Sequence, residues 1–128
     1  MRINHAALFT QDIERLRSFY CAYFGTTASS MYHNPRTGLR TYFLSFPDGT
    51  TRLELMTRPD VTGTVSPDCN IGYTHLSFSL GSKEEVDRLT AELTADGYLC
   101  TSLPRTTGDG YYESCVLDPD GNRLELTV

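Results

Sequence analysis

Two histidines and two glutamates offer this chain a chemistry. His5 and His75 stand 70 positions apart, and Glu54 and Glu125 stand 71 apart. A neutral imidazole presents one nitrogen lone pair, and a carboxylate presents anionic oxygens. Two of each make an N₂O₂ donor set suited to Zn²⁺, Ni²⁺, Co²⁺ or Fe²⁺. The two carboxylates balance a divalent charge, and one or two positions stay open for water or substrate. Taken singly, a histidine at the start of a strand or a glutamate within one reads more simply as part of a solvated sheet face. The matched spacing is what favours the metal reading.

Elements with two different periods must position these residues. Glu54 and Glu125 each follow a tight turn. Pro47-Asp48-Gly49-Thr50-Thr51-Arg52-Leu53-Glu54-Leu55 returns as Pro119-Asp120-Gly121-Asn122-Arg123-Leu124-Glu125-Leu126. Asp-Gly supplies a local side-chain hydrogen bond and a permissive φ, and Leu-Glu-Leu alternates as a strand does. With the leucines packed under a helix, both glutamates face the other way. The same parity sets His5 opposite Ala6 and Leu8, and His75 opposite Leu76 and Phe78.

Residues 3–9 read as a strand. Asp12 then caps a helix carrying Ile13, Leu16, Phe19, Tyr20 and Tyr23, which Gly25 stops. Residues 27–33, 40–46 and 52–57 supply three further strands, with turn chemistry from Tyr32 to Gly38. Residues 58–71 lack periodicity and read as a connector. The pattern then restarts with a strand over 73–80 and a helix opened by a capping box, Ser82 as cap and Glu85 reaching back. Gly97 ends that helix, and strands follow over 98–103, 111–117 and 123–127. Helix starts Asp12 and Ser82 are again 70 apart. The spacing predicts an internal duplication. It gives one α+β domain of two tandem βαβββ modules, 1–57 and 72–128.

Composition narrows the partners. At 128 residues, 39% hydrophobic and 21% charged, the chain suits a globular domain with a real core. A net charge of −5 offers no basic stripe to a nucleic acid or an anionic membrane. No apolar run reaches membrane-spanning length, and the N-terminus lacks a signal-peptide core, so the cytosol is the expected location. Cys21, Cys69, Cys100 and Cys115 show no metal or redox spacing and read as reduced, mostly buried thiols.

With the repeat in view, His5, Glu54, His75 and Glu125 and the two Asp-Gly-x-Arg-Leu-Glu-like closings resemble the vicinal oxygen chelate superfamily. Its members include glyoxalase I, extradiol dioxygenases, fosfomycin-resistance enzymes and bleomycin-sequestering proteins. The four-ligand pattern on a short chain is most similar to bacterial glyoxalase I, a lactoylglutathione lyase. The resemblance implies curved mixed sheets rolled around a metal cleft, a homodimer, and a small-molecule substrate. It implies Ni²⁺, Co²⁺ or Zn²⁺ held by the four residues, and isomerisation of a hemithioacetal through an enediolate. One ligating glutamate would take the carbon-bound proton. Glu125 is the expected base, with Glu54 as the second carboxylate able to shuttle it.

Phe9 departs from that family pattern, standing where bacterial glyoxalase I has an arginine. Arg58 stands where it has an asparagine. A phenyl ring cannot replace a guanidinium fork on a carboxylate, so the resemblance does not carry glutathione over to this chain. Phe9 and Arg58 are nevertheless expected near the substrate, with Arg105, Arg40 and Tyr112. The segment from Arg105 to Ser114 reads either as a glycine-rich hairpin with surface charge or as an anion-binding rim. Three rivals remain. A fosfomycin-type thiol transferase or hydrolase would leave Glu54 spare. A ring-cleaving dioxygenase uses only two histidines and one carboxylate. A binding protein would have no call for all four ligands.

Overall fold

Capping and alternation build two similar units. The structure is a computed structural model describing residues 2–65 and 71–128. It divides into Met1–Gly63 and Thr64–Val128. Cys69 and connector residues 66–70 lie outside the described residues. The described residues form two mixed sheets with two helices, an α+β architecture with no closed barrel.

In the first unit, strand β1 (Ala6–Phe9) leads into helix α1 (Ile13–Phe24). Asp12 caps that helix, its Oδ1 accepting the Arg15 N–H at 3.0 Å. Gly25 closes it at φ 61°, a left-handed conformation that favours glycine. Short strands β2 (Thr27–Ala28) and β3 (Tyr32–His33) follow, then β4 (Arg40–Ser45) and β5 (Arg52–Thr57). The sheet order is β1-β5-β4-β2, with β3 also on β4 and β1 parallel to β5. Ile13, Leu16, Phe19 and Tyr20 are buried, as are Leu44, Leu53 and Leu55 on the strands beneath α1. Full burial of one leucine contributes roughly 1.5–3 kcal/mol, so a register slip that exposed Leu53 and Leu55 would be costly.

The second unit repeats this plan with strand β6 (Leu76–Ser79), helix α2 (Lys83–Ala95) and strands β7 (Cys100–Thr106), β8 (Tyr112–Leu117) and β9 (Arg123–Thr127). Its order is β6-β9-β8-β7, with β6 parallel to β9. Val86, Leu89 and Leu93 are buried, as are Val116, Leu124 and Leu126 on the strands they meet. A hydrogen bond of 2.6 Å between the Thr90 and Ser114 hydroxyls satisfies the buried polar atoms between helix and sheet.

Several expectations change in detail. The strands expected over 3–9 and 73–80 pair only from Ala6 and Leu76, so each histidine sits one residue ahead of its strand. Residues 27–33 split in two, and Tyr32 and His33 leave the expected loop to pair with Thr41 and Arg40. Strand β7 runs on to Thr106, with register shifts after Cys100 and Ser102. Only half of the capping box forms. Ser82 Oγ accepts the Glu85 N–H at 3.2 Å, but the Glu85 carboxylate turns to Arg88 at 2.9 Å. Ser82→Ala should therefore cost about 1 kcal/mol, read as a fall in Tm of roughly 4 °C.

The two Asp-Gly turns also differ. In the first, Asp48 Oδ1 accepts from the Thr50 and Thr51 N–H groups. These bonds and the Thr51 hydroxyl lower its pKa to about 2, the hydroxyl contributing most. In the second, Asp118 rather than Asp120 takes the role, accepting from the Asp120 and Asn122 N–H groups. Cys21, Cys100 and Cys115 are free and half-buried rather than fully buried. Among the described residues no helix is long and apolar enough to cross a membrane.

Candidate metal centre

Strand parity delivers both glutamates to the face away from their helices. In β5, Leu53, Leu55 and Thr57 are buried while Arg52, Glu54 and Met56 occupy the opposite face. In β9, Leu124 and Leu126 are buried while Arg123, Glu125 and Thr127 face the other way. The parallel neighbour sets Ala7 opposite Glu54 and Ser77 opposite Glu125. Each histidine lies two residues before that neighbour, on the same face.

The outcome is one His–Glu pair in each unit, with nearly equal geometry. His5 Nε2 lies 3.5 Å from Glu54 Oε2, and His75 Nε2 lies 3.6 Å from Glu125 Oε2. Both gaps exceed the roughly 2.7–3.2 Å of an N–H···O hydrogen bond. They are close to the roughly 3.4 Å that separates two ligands each about 2.1 Å from one ion at a tetrahedral angle. An imidazole nitrogen beside a carboxylate oxygen is also the donor chemistry a divalent transition metal takes. Each pair therefore has donor chemistry and spacing that a divalent ion accepts. Among the described residues no three of His, Cys, Asp and Glu gather closely enough to hold an ion on their own.

Neighbouring polar groups hold the histidines and Glu125, and sequence reading missed them. Asn4 Oδ1 lies 2.8 Å from His5 Nδ1 and also accepts from the Arg52 guanidinium. A guanidinium only donates, so the oxygen end of Asn4 faces both groups. His5 thus donates from Nδ1 to that oxygen and turns Nε2 towards Glu54, the ring orientation typical of ligating histidines. Phe43 meets the His5 ring edge-on at 5.2 Å, and Arg52 lies over Phe43 at 5.0 Å. In the second unit Thr74 Oγ1 is 3.0 Å from His75 Nδ1. Ser77 Oγ donates to Glu125 Oε1 at 2.6 Å. The available signal was a polar residue directly before each histidine, Asn4 and Thr74.

The expected substrate residues divide. Phe9 is exposed on the His5 face, with the Arg58 guanidinium 6.0 Å from its ring centre. Arg58 is also held by both Asp60 oxygens at 2.7 Å. Arg40, Arg58, Gln11 and His33 border a cavity of about 600 Å³. It lies at the far end of β1 and β5 from His5. Gly38 forms part of its wall at φ 71°, where an added Cβ would come within 2.9 Å of Pro59. Arg105 lies on the Glu125 face of its sheet, donating to Ser102 Oγ at 2.7 Å, with Glu113 3.6 Å away.

Tyr112 corrects the expectation made for it. It shares the helix-facing parity of Ser114 and Val116, and its hydroxyl donates to Asp87 of α2 at 2.6 Å. That bond raises its pKa, and the Lys83 ammonium lies 4.9 Å from its ring centre. Tyr42, 70 positions earlier, makes the matching bond to Glu14 of α1 at 2.8 Å. The repeated tyrosine ties strand to helix.

Comparison with known proteins agrees with this fold. The model of the Glyoxalase/Bleomycin resistance protein/Dioxygenase superfamily matches residues 2–126. The chain is similar to Uncharacterized protein YqjT of Bacillus subtilis (strain 168), with 40% identity over 63 residues. That match covers 47% of this chain and 49% of the relative, about half of its length. A glyoxalase family protein from Enterococcus faecalis shares the fold at a TM-score of 0.81 and 24% identity, covering 99% of this chain and 97% of that one. A possible glyoxalase from Bacillus cereus aligns at 0.73 and 26% identity, over 100% and 99%. Glyoxalase I from Zea mays aligns at 0.81 and 23% identity, over 98% of this chain and 44% of that one.

Proposed function

The chain belongs to the Glyoxalase/Bleomycin resistance protein/Dioxygenase superfamily, and from that premise we propose a metal-dependent lyase or isomerase of glyoxalase I type. Its substrate is a small molecule with two neighbouring oxygens, such as a hemithioacetal. The observation that carries this reading is the pair of equivalent His–Glu contacts at 3.5 and 3.6 Å. His5, Glu54, His75 and Glu125 hold one Ni²⁺, Co²⁺ or Zn²⁺, within one chain or across a homodimer. The bound ion supplies Lewis-acid polarisation of the substrate oxygens.

The residues of the chain do the rest. A glutamate carboxylate accepts the carbon-bound proton and returns it to the adjacent carbon, so the isomerisation balances without a further reactant. Arg105, on the Glu125 face of its sheet, offers a guanidinium fork to an anionic end of the substrate, whereas Arg40, opposite Thr57, lies on the helix-facing side with Tyr42. Phe9 supplies an apolar surface in place of a charged one. Two carboxylate ligands, where a ring-cleaving site uses one, favour proton transfer over dioxygen chemistry.

The test is metal analysis of the purified protein, followed by hemithioacetal isomerisation after loading with Ni²⁺, Co²⁺ or Zn²⁺. Adducts of glutathione and of other small thiols should be compared. Turnover with at least one metal and one thiol adduct is expected. No turnover with any combination would refute the reading.

A further inference from the structure

The duplicated units differ at one position that bears directly on the two glutamates. Ser77 stands beside Glu125 in the parallel register, and Ala7 stands in the equivalent place beside Glu54. The Ser77 hydroxyl donates to Glu125 Oε1 at 2.6 Å, while Oε2 of the same carboxylate lies towards His75. Both oxygens of Glu125 are thus engaged. Ala7 has no hydroxyl to give. Glu54 Oε2 lies towards His5, and among the described residues no donor bonds its Oε1.

We infer that Ser77 makes the two carboxylates unequal. It fixes Glu125 as a permanent ligand and leaves Glu54 as the carboxylate that moves the substrate proton. This exchanges the roles expected from the sequence, and it rests on the metal-dependent reading above. A short O–H···O⁻ bond is among the strong ones, and a carboxylate must break it in order to swing. Glu54 breaks no such bond. In the proton step the carbon–hydrogen bond opens, its electron pair moves towards the neighbouring carbonyl, and Glu54 Oε1 takes the proton. The same carboxyl then delivers it to the adjacent carbon. The hydroxyl proton of the first carbon passes to the oxygen of the second, so the hydroxy-carbonyl is converted to its isomer. Ser77 is a positioning residue, because it reaches the chemistry only through Glu125.

The test uses the intact protein and Ni²⁺ alone as probe, titrated calorimetrically against wild type, Ser77→Ala, Ser77→Thr and Ala7→Ser. Loss of an outer-shell bond typically weakens metal affinity by about 10–100-fold. That loss is expected for Ser77→Ala, with the hydroxyl of Ser77→Thr restoring most of it. Ala7→Ser installs the missing donor beside Glu54, so it should hold Ni²⁺ at least as tightly as wild type while lowering kcat about 10-fold or more. Thermal unfolding of the metal-free variants separates misfolding from altered positioning. Wild-type binding of Ni²⁺ with Ser77→Ala unchanged within two-fold would overturn this inference and leave the metal-dependent reading intact. Failure of wild type to bind Ni²⁺, Co²⁺ or Zn²⁺ would overturn both.

Discussion

Glu54→Gln should lower turnover of the metal-loaded enzyme by about 10²–10⁴-fold, the usual contribution of a positioned general base. Glutamine keeps the length and one oxygen donor of the side chain but cannot accept the substrate proton. The metal should therefore remain bound, at reduced affinity, while kcat collapses. Glu125→Gln should behave differently. Its amide cannot reproduce a carboxylate that meets both His75 and Ser77 and would bind the proposed ion. Its larger loss should appear in metal affinity, with activity partly recovered at high metal concentration. Steady-state kinetics over a range of Ni²⁺ concentrations separates the two patterns. Equal patterns would show that the glutamates are as symmetric as the repeat.

His5→Ala should weaken divalent-ion binding by more than about 100-fold, beyond what the loss of an outer-shell group costs. Asn4 and Arg52 fix the orientation of the His5 ring, so its Nε2 is already aimed at Glu54. Alanine removes that nitrogen outright. The metal-free variant should nevertheless fold normally, because His5 is exposed and precedes the first paired residue of β1. Such surface changes usually stay within about 0.5 kcal/mol. Ion titration and thermal unfolding of the same preparation check both halves of this prediction.

Much of this arrangement was legible in the residues. Period-two Leu-Glu-Leu and the buried-leucine rule placed Glu54 and Glu125 on the correct face, and Asp12 and Ser82 marked both helix starts. Equal offsets disclosed the duplication, because a repeated fold must repeat its turns and caps. The less legible parts depend on which of two faces, or which of two partners, a side chain takes. Tyr112 was expected near the substrate, yet one step of strand parity sends it to Asp87 on the helix. Glu85 was expected to return to the Ser82 backbone, but Arg88, one turn along, competes for it. Ser77 has the strand parity of His75, which by itself gives it no role. Only the parallel register of β6 with β9 brings its hydroxyl to Glu125.

The stoichiometry of bound metal tests the central claim most directly. If His5, Glu54, His75 and Glu125 serve one ion, native mass spectrometry with elemental analysis should find one tightly bound divalent ion per chain. That ion should disappear when the histidine of either pair is replaced. Two ions per chain, each surviving removal of the other pair, or no tightly bound ion at all, would contradict a single shared centre.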